Sequence, residues 1–173
     1  IYHLKNKGKG SAIRSGLKKA TGDTILIQDA DLEYSQNDYP KLLKPILKSK
    51  TKVVYGSRFM ATPFFEKKHL TVPTHYLGNK FLSLITRILF NYKITDMETC
   101  YKVFTKDALK NIKLKATRFD FEPEITAKFL KKGIKIKEIP IDYNPRKFKE
   151  GKKISWKDGL KALYFLFKYR FMD

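Results

Sequence analysis

Cysteine is nearly absent from this sequence, with Cys100 alone among 173 residues. One thiol closes no internal disulfide and builds no thiolate metal centre, which excludes a disulfide scaffold and a zinc finger and fits a reducing compartment. Histidine is also scarce, and the three, His3, His69 and His75, are too scattered in sequence to be read as metal ligands by spacing. Acidic residues are few: 17 stand against 37 Lys plus Arg, for a formal charge of +20. A surplus of that sign attracts polyanions, whether nucleic acid, nucleotides or an anionic membrane face. No stretch approaches the roughly 18 to 20 uninterrupted apolar residues of a membrane span, and no charged-then-apolar leader opens the chain, so a soluble or peripheral protein is expected. Against these absences, 42% of the residues are apolar, with 13 Phe and 10 Tyr. That suffices for a core in one compact domain over residues 1–173, without repeats or linkers.

The pattern along the chain alternates helices and short apolar runs. Ile1 to Leu4 reads as the end of a strand, so an α/β nucleotide site would have its first strand and loop upstream. Gly10-Ser11 opens a helix through Ala12, Ile13, Leu17 and Ala20, which Gly22 closes. Thr24 to Ile27 suits a buried parallel strand, Leu42 to Leu47 a helix, and Lys52 to Tyr55 a second strand running into Gly56-Ser57-Arg58. Helix, strand, helix, strand in that order argues for a mostly parallel sheet with crossover helices. Residues 59–75 show no period and read as a mobile loop. Tyr76 to Phe90 is an amphipathic helix through Leu77, Phe81, Leu84, Ile85, Ile88 and Leu89, with its apolar side packed on the sheet or laid in a membrane interface. Further strands are expected at Tyr101–Phe104 and Ile134–Tyr143, where Pro140 indicates an edge or a bulge. Further helices are expected at Asp107–Ile112, Pro123–Lys132 and Trp156 to about Tyr169, the last with its aromatics in the core.

Chemistry concentrates at Asp29 and Asp31, one small residue apart at the carboxyl end of an apolar strand, where an open α/β sheet has its ligand crevice. Hard oxygens beside a polyanionic substrate suit Mg²⁺ or Mn²⁺, sharing its coordination with phosphate oxygens and water, and Glu33 offers a third oxygen. An acid pair also serves as a helix cap or turn, but two like charges this close cost energy unless something positive sits between them. Asn6-Lys7-Gly8-Lys9-Gly10-Ser11 places glycines and lysines before a helix start, where free N–H groups favour phosphate. An exposed basic turn fits it equally. It lacks the Gly-x-x-x-x-Gly-Lys-[Ser/Thr] spacing of a P-loop.

The ordered set Gly8-Lys9-Gly10, Arg14, Gly22-Asp23, Asp29-Ala30-Asp31 and Gly56-Ser57-Arg58 resembles the family 2 glycosyltransferases of the GT-A fold. Within them it is similar to the dolichol-phosphate mannosyltransferase and polyprenyl-phosphate glycosyltransferase branch, as are Thr95 to Lys102, Phe119 to Ile125 and Ile139 to Ile154. The resemblance implies a Rossmann-like α/β domain, truncated at its N-terminus. It implies inverting transfer of a sugar from a nucleoside diphosphate donor (GDP-mannose or a UDP-sugar) to a polyprenyl phosphate such as dolichyl or undecaprenyl phosphate. On that likeness Asp29, Asp31 and Glu33 hold the metal. Lys9, Gly10, Arg14, Asp29, Glu122 and Glu124 face the donor, and Asp29, Asp31, Asp96 and Arg58 are catalytic. Arg58, Arg146, Lys152 and Lys153 bind acceptor or donor phosphate. An ionised lipid phosphate requires no strong general base, so positioning does most of the work. Favourable charge in the first turn of a helix accounts equally well for Glu122 and Glu124. Cys100 reads as a buried small apolar group. The same likeness implies peripheral contact with the cytoplasmic membrane face, and a separate membrane subunit is compatible with it. Between Lys102 and Arg170, 20 basic residues outnumber 8 acidic ones, which suits salt-sensitive adhesion to an anionic leaflet. Rival readings are a glycosyltransferase with a non-lipid acceptor, a metal-dependent nucleotidyltransferase, a non-catalytic remnant, and a basic nucleic-acid-binding module. In the last, the acid pair would face phosphates without a metal, so no nucleic-acid partner is expected.

Overall fold

The computed structural model describes residues 1–60, 73–145 and 156–172. Among the described residues five helices flank a four-stranded sheet: α1 (Lys9–Lys19), α2 (Tyr39–Leu47), α3 (Pro73–Phe90), α4 (Phe121–Lys131) and α5 (Trp156–Phe171). The strands are β1 (Thr24–Leu26), β2 (Val53–Ser57), β3 (Lys102–Thr105) and β4 (Ile136–Pro140), in the spatial order β1-β3-β2-β4.

β2 and β4 run parallel, with Val54 opposite Lys137 and Ser57 opposite Pro140. β3 is antiparallel to both β1 and β2, so three strands share one direction and the fourth is wedged between two of them. Among the described residues the pairing is therefore mixed: β2–β4 is parallel, whereas β1–β3 and β2–β3 are antiparallel. β1 is only half-buried, whereas every residue of β2 is buried, as befits a strand covered on both faces. β4 ends the sheet, and its Pro140 therefore costs no ladder bond on a second side.

Alternation along the strands divides the core in two. Val53, Tyr55, Phe104 and Ile136 point toward α3, α4 and α5, where they meet Leu82, Phe121, Ile125, Phe129, Ala162 and Leu166. Val54 and Val103 point the other way, onto Leu42 and Ile46 of α2 together with Tyr34, Tyr101 and Ile141.

Several boundaries differ from expectation. Ile1 to Leu4 forms no strand, and Ile1, Tyr2 and Leu4 are exposed. The helix expected at Pro123 begins at Phe121, so Pro123 sits in its first turn, where a missing N–H costs nothing. The segment after β3 is a short 3₁₀ turn, Lys106–Leu109, capped by the Thr105 side chain. α3 starts at Pro73, inside the segment read as a loop, while residues 61–72 of that segment lie outside the described residues. The largest departure is in α3 and α5: Leu77, Phe81, Leu84 and Ile88, and likewise Leu160, Tyr164, Phe167 and Phe171, are exposed rather than in the core.

Candidate active site

The carboxyl ends of β1, β2 and β4 and the loop leading into β3 converge at one end of the sheet, the position at which open α/β sheets bind ligands. Asp29 and Asp31 follow β1. Gln28 steadies their loop by accepting from Tyr39 Oη at 2.7 Å and from Tyr101 Oη at 2.6 Å. Asp31 turns the chain by accepting from the Glu33 N–H at 3.3 Å, and Leu32 between them is held at φ 59°, a conformation uncommon for a residue with a side chain. Glu33 accepts from Tyr143 Oη at 3.2 Å, beyond the end of β4.

Lys9 supplies a positive charge to Asp29, the first acid of the pair. Its Nζ lies 2.8 Å from Asp29 Oδ2, 2.7 Å from Glu122 Oε1 and 3.2 Å from Cys100 Sγ. Burial opposes the Lys9 charge, yet Glu122, Cys100 and Asp29 outweigh it and raise the ammonium pKa well above its usual value. Burial would raise the Asp29 carboxyl, but Lys9 and a hydrogen bond from Cys100 bring it below the usual carboxylate range. Burial pushes the Cys100 thiol up to about 12, so it stands as an uncharged neighbour and not as a nucleophile.

A second pair lies at the end of β2. Arg58 donates through Nε to Asp96 Oδ2 at 2.7 Å and through Nη2 to Asp96 Oδ1 at 2.6 Å, and its guanidinium stacks 5.3 Å from the Tyr143 ring centre. Asp96 is fully buried. Its loop is fixed by Glu138 of β4, which accepts from the N–H groups of Thr95 and Asp96 at 2.8 Å and 2.9 Å. Burial raises the Glu138 pKa, though hydrogen bonds from Thr95 and Asp96 hold against it.

Three other candidates serve the scaffold in this structure. Arg14 donates to the carbonyls of Lys115 at 2.8 Å and Ala116 at 3.3 Å. Glu124 is fully buried, accepting from the Lys115 and Ala116 N–H groups, both at 2.7 Å, and from Lys128 Nζ at 2.8 Å. It is a bracket for the 115–116 turn, and like Glu122 it stands in the first turn of α4. Gly10 and Ser11 give their N–H groups to the carbonyls of Arg118 and Thr117, so the chain itself occupies the anion position expected at the start of α1. Gly10 is required for that approach: a Cβ there would lie 2.8 Å from the Ala116 backbone. Arg146, Lys152 and Lys153 lie outside the described residues.

Sequence reasoning missed Glu98, Lys102, Glu138 and Tyr143. Lys102 is buried, donates to the carbonyls of Met97 at 3.0 Å and Thr99, and lies 4.5 Å from the Tyr55 ring centre. Burial lowers its pKa. Burial, with Glu122 nearby, raises the Glu98 carboxyl to about 8. Glu98 Oε1 and Glu122 Oε2 are buried oxygens without a hydrogen-bond partner. A lysine inside an apolar strand and carboxylates flanking it were the available signals.

Among the described residues no three His, Cys, Asp or Glu side chains gather into a cage for a cation. Asp29 and Asp31 nonetheless fit a hard divalent ion of the kind that rests on one or two carboxylates and completes its shell with phosphate oxygens and water. The Glu33 carboxylate is engaged by Tyr143, so the expected three-carboxylate set is not assembled.

Residues 1–113 match the model of the family described as glycosyl transferase family 2. The chain belongs to that family. Over 146 residues it is 35% identical to a UDP-N-acetylglucosamine–dolichyl-phosphate N-acetylglucosaminyltransferase of Methanococcus voltae, covering 82% of this chain and 57% of the relative. It is 30% identical to the dolichyl-phosphate beta-glucosyltransferase ALG5C of Trichomonas vaginalis over 146 residues, covering 81% and 43%. The chain thus spans about half the length of the curated relatives it matches. Its fold is that of the GT-A glycosyltransferases. Glucosyl-3-phosphoglycerate synthase of Mycobacterium tuberculosis, solved with phosphoglyceric acid, superimposes with a TM-score of 0.68 at 14% identity, covering 94% of this chain and 55% of that one. A structure of that enzyme with Mn²⁺ and UDP-glucose gives a TM-score of 0.66 at 15% identity, covering 94% and 54%. As a family 2 glycosyltransferase chain it has Asp29-Ala30-Asp31 beyond the carboxyl end of β1, with Asp29 paired to Lys9.

Proposed function

We propose that the chain is the catalytic part of an inverting glycosyltransferase. It would move a sugar from a nucleoside diphosphate to the phosphate of a polyprenyl lipid at a membrane surface. The observation that carries this reading is that Asp29 of the acid pair is held by Lys9 at the same end of the sheet as the Arg58–Asp96 pair, where such folds bind ligands. The family and the dolichyl-phosphate transferases among its relatives support it.

In the reaction an acceptor phosphate oxygen bonds to the anomeric carbon while the bond to the diphosphate breaks, and the electron pair leaves with the diphosphate. Asp29 and Asp31 would hold the divalent ion, Mg²⁺ or Mn²⁺, which neutralises charge on the departing diphosphate. Lys9 adds a positive charge beside that position, and being pinned by Asp29, Glu122 and Cys100 it needs no rearrangement to act. The acceptor phosphate is already ionised, so the chain's task is to orient it. Arg58 brings a guanidinium charge whose plane is fixed by the Nε and Nη2 bonds to Asp96, and Asp96 is fixed by Glu138. Glu122 Oε2, buried and unpartnered next to Lys9, suits a hydroxyl of the donor sugar. Arg146, Lys152 and Lys153 retain their proposed phosphate-binding role. A nucleic-acid module is less well supported, since the two buried cations face carboxylates and not an open groove.

The test is transfer from radiolabelled nucleotide sugars to polyprenyl phosphate, using protein that carries this domain. Transfer should stop with chelator, return with Mg²⁺ or Mn²⁺, and fall at least a hundredfold in Asp31→Asn. Undiminished transfer by that variant would sink the metal assignment, and transfer to a small phosphorylated acid in place of the lipid would sink the lipid acceptor.

A further inference from the structure

Lys102 opens β3 with a cation, where the strand continues as the apolar Val103 and Phe104. The residue is 1% exposed, and a charge taken out of water is costly unless its surroundings replace the lost hydration. Two carbonyls do so: the ammonium donates to Met97 at 3.0 Å and to Thr99. The Tyr55 ring centre lies 4.5 Å from it, and Tyr55 is the residue paired with Lys102 between β2 and β3. Burial works against the charge, and the nearby Glu122, Cys100 and Glu98 work for it.

The two carbonyls belong to the segment that joins the halves of the site. Residues 96–100 start at Asp96, the partner of Arg58, and end at Cys100, whose sulfur touches Lys9 beside Asp29. Glu138 fixes the first end through the Thr95 and Asp96 N–H groups. At the other end the Cys100 N–H donates to Tyr34 Oη over a long 3.3 Å. Between these points Met97 and Thr99 are buried, with their carbonyls turned inward onto Lys102. An apolar side chain at position 102 would leave both carbonyls buried without that donor, and the segment would have to turn them toward water.

We propose that Lys102 is a positioning residue, which sets the spacing of the Arg58–Asp96 pair from the Lys9–Asp29 pair by holding the 96–100 segment between them. In the glycosyltransferase reading, on which this inference rests, the pairs stand at the two ends of the reaction, Asp29 by the diphosphate and Arg58 by the acceptor phosphate. The attacking and departing oxygens must lie on opposite sides of the anomeric carbon, so a shift of about 1 Å between the pairs costs about a hundredfold in rate. Among the described residues Lys102 makes no hydrogen bond to either pair. Its loss should therefore lower turnover while leaving the binding of each substrate nearly unchanged.

The experiment compares wild type, Lys102→Met and Lys102→Arg with Thr126→Val, a control for lost stability that removes the 3.0 Å bond between Tyr55 Oη and Thr126 Oγ1 from the same core. Far-UV circular dichroism reports whether each variant folds. Amide hydrogen exchange needs no substrate: at residues 97–100 it should be at least tenfold faster in Lys102→Met than in wild type, with no such change in Thr126→Val or Lys102→Arg. Transfer from radiolabelled nucleotide sugar to polyprenyl phosphate is then read on protein that carries this domain. In Lys102→Met kcat should fall about a hundredfold with KM for both substrates within about threefold, and Lys102→Arg, which keeps the charge and the donors, should retain at least a tenth of wild-type turnover. Unchanged exchange at 97–100 in Lys102→Met would overturn the inference. So would a loss of kcat no larger than that of Thr126→Val. If Lys102→Met does not fold, Lys102→Arg decides, and a folded Lys102→Arg with less than a tenth of wild-type turnover overturns the inference as well. No transfer by wild type, beside faster exchange in Lys102→Met alone, would count against the glycosyltransferase reading and support Lys102 as the holder of the segment.

Discussion

Arg58 and Asp96 are joined by two nearly parallel hydrogen bonds, of 2.7 Å and 2.6 Å, and the Arg58 backbone N–H adds a third to Asp96 Oδ2 at 3.0 Å. The carboxylate is fully buried and the guanidinium nearly so. Two charges taken out of water are tolerable only as a pair, and removing one partner leaves the other uncompensated at a cost of about 3 to 5 kcal/mol. Asp96→Ala should therefore lower unfolding free energy by about that amount in urea titrations, and abolish transfer. Arg58→Lys keeps the charge but loses the fork, so it should retain most of the stability and little of the activity. Equal stability of wild type and Asp96→Ala would mean that the pair contributes no structure.

Glu98 gives the fold a pH dependence. Its carboxyl is raised from about 4.5 to about 8, first by burial and then by Glu122. The native chain therefore holds a proton that the unfolded chain has released across this window. Stability from this group is full below about pH 4.5 and is lost as pH rises toward 8, with a slope of at most about 1.4 kcal/mol per pH unit. Glu98→Gln mimics the protonated form. It should match wild type near pH 4.5, exceed it near pH 8.5, and flatten the curve of melting temperature against pH between them. A wild-type curve that rises through the same window would refute the assignment.

What the sequence made legible was periodic or local: the helices at Leu42–Leu47 and Tyr76–Phe90, the buried run Val53–Tyr55, and an acid pair placed after a strand. What it hid was decided by contacts distant in sequence. No local pattern tells that β3 inserts antiparallel between β1 and β2, because strand order is settled by which faces meet in the folded chain. The N–H groups at the start of α1 looked available because the carbonyls that take them, at Thr117 and Arg118, come more than a hundred residues later. Glu122 and Glu124 share the first turn of α4 and looked alike. Helical geometry sends them apart, Glu122 to Lys9 and Glu124 to the 115–116 turn. The apolar periods of α3 and α5 were read correctly as stripes, but a stripe does not say whether sheet or lipid will cover it.

Two glycines of α1 separate close packing from helix propensity. A Cβ on Gly16 would meet nothing within 4 Å, so Gly16→Ala gains helix propensity and should stabilise the chain by about 0.5 to 1 kcal/mol. A Cβ on Gly10 would fall 2.8 Å from the carbonyl carbon and oxygen of Ala116, both backbone atoms that cannot swing aside. Gly10→Ala must therefore push α1 away from the 116–118 segment and strain the bonds from the Gly10 and Ser11 N–H groups. Its cost should be about 1 to 3 kcal/mol despite the same gain in propensity. Because Lys9 is the next residue, the displacement should also loosen its contacts with Asp29 and Glu122, so that transfer falls in Gly10→Ala and is unchanged in Gly16→Ala. Melting temperatures of the two variants moving in the same direction would show that α1 is not held at Gly10 by this contact.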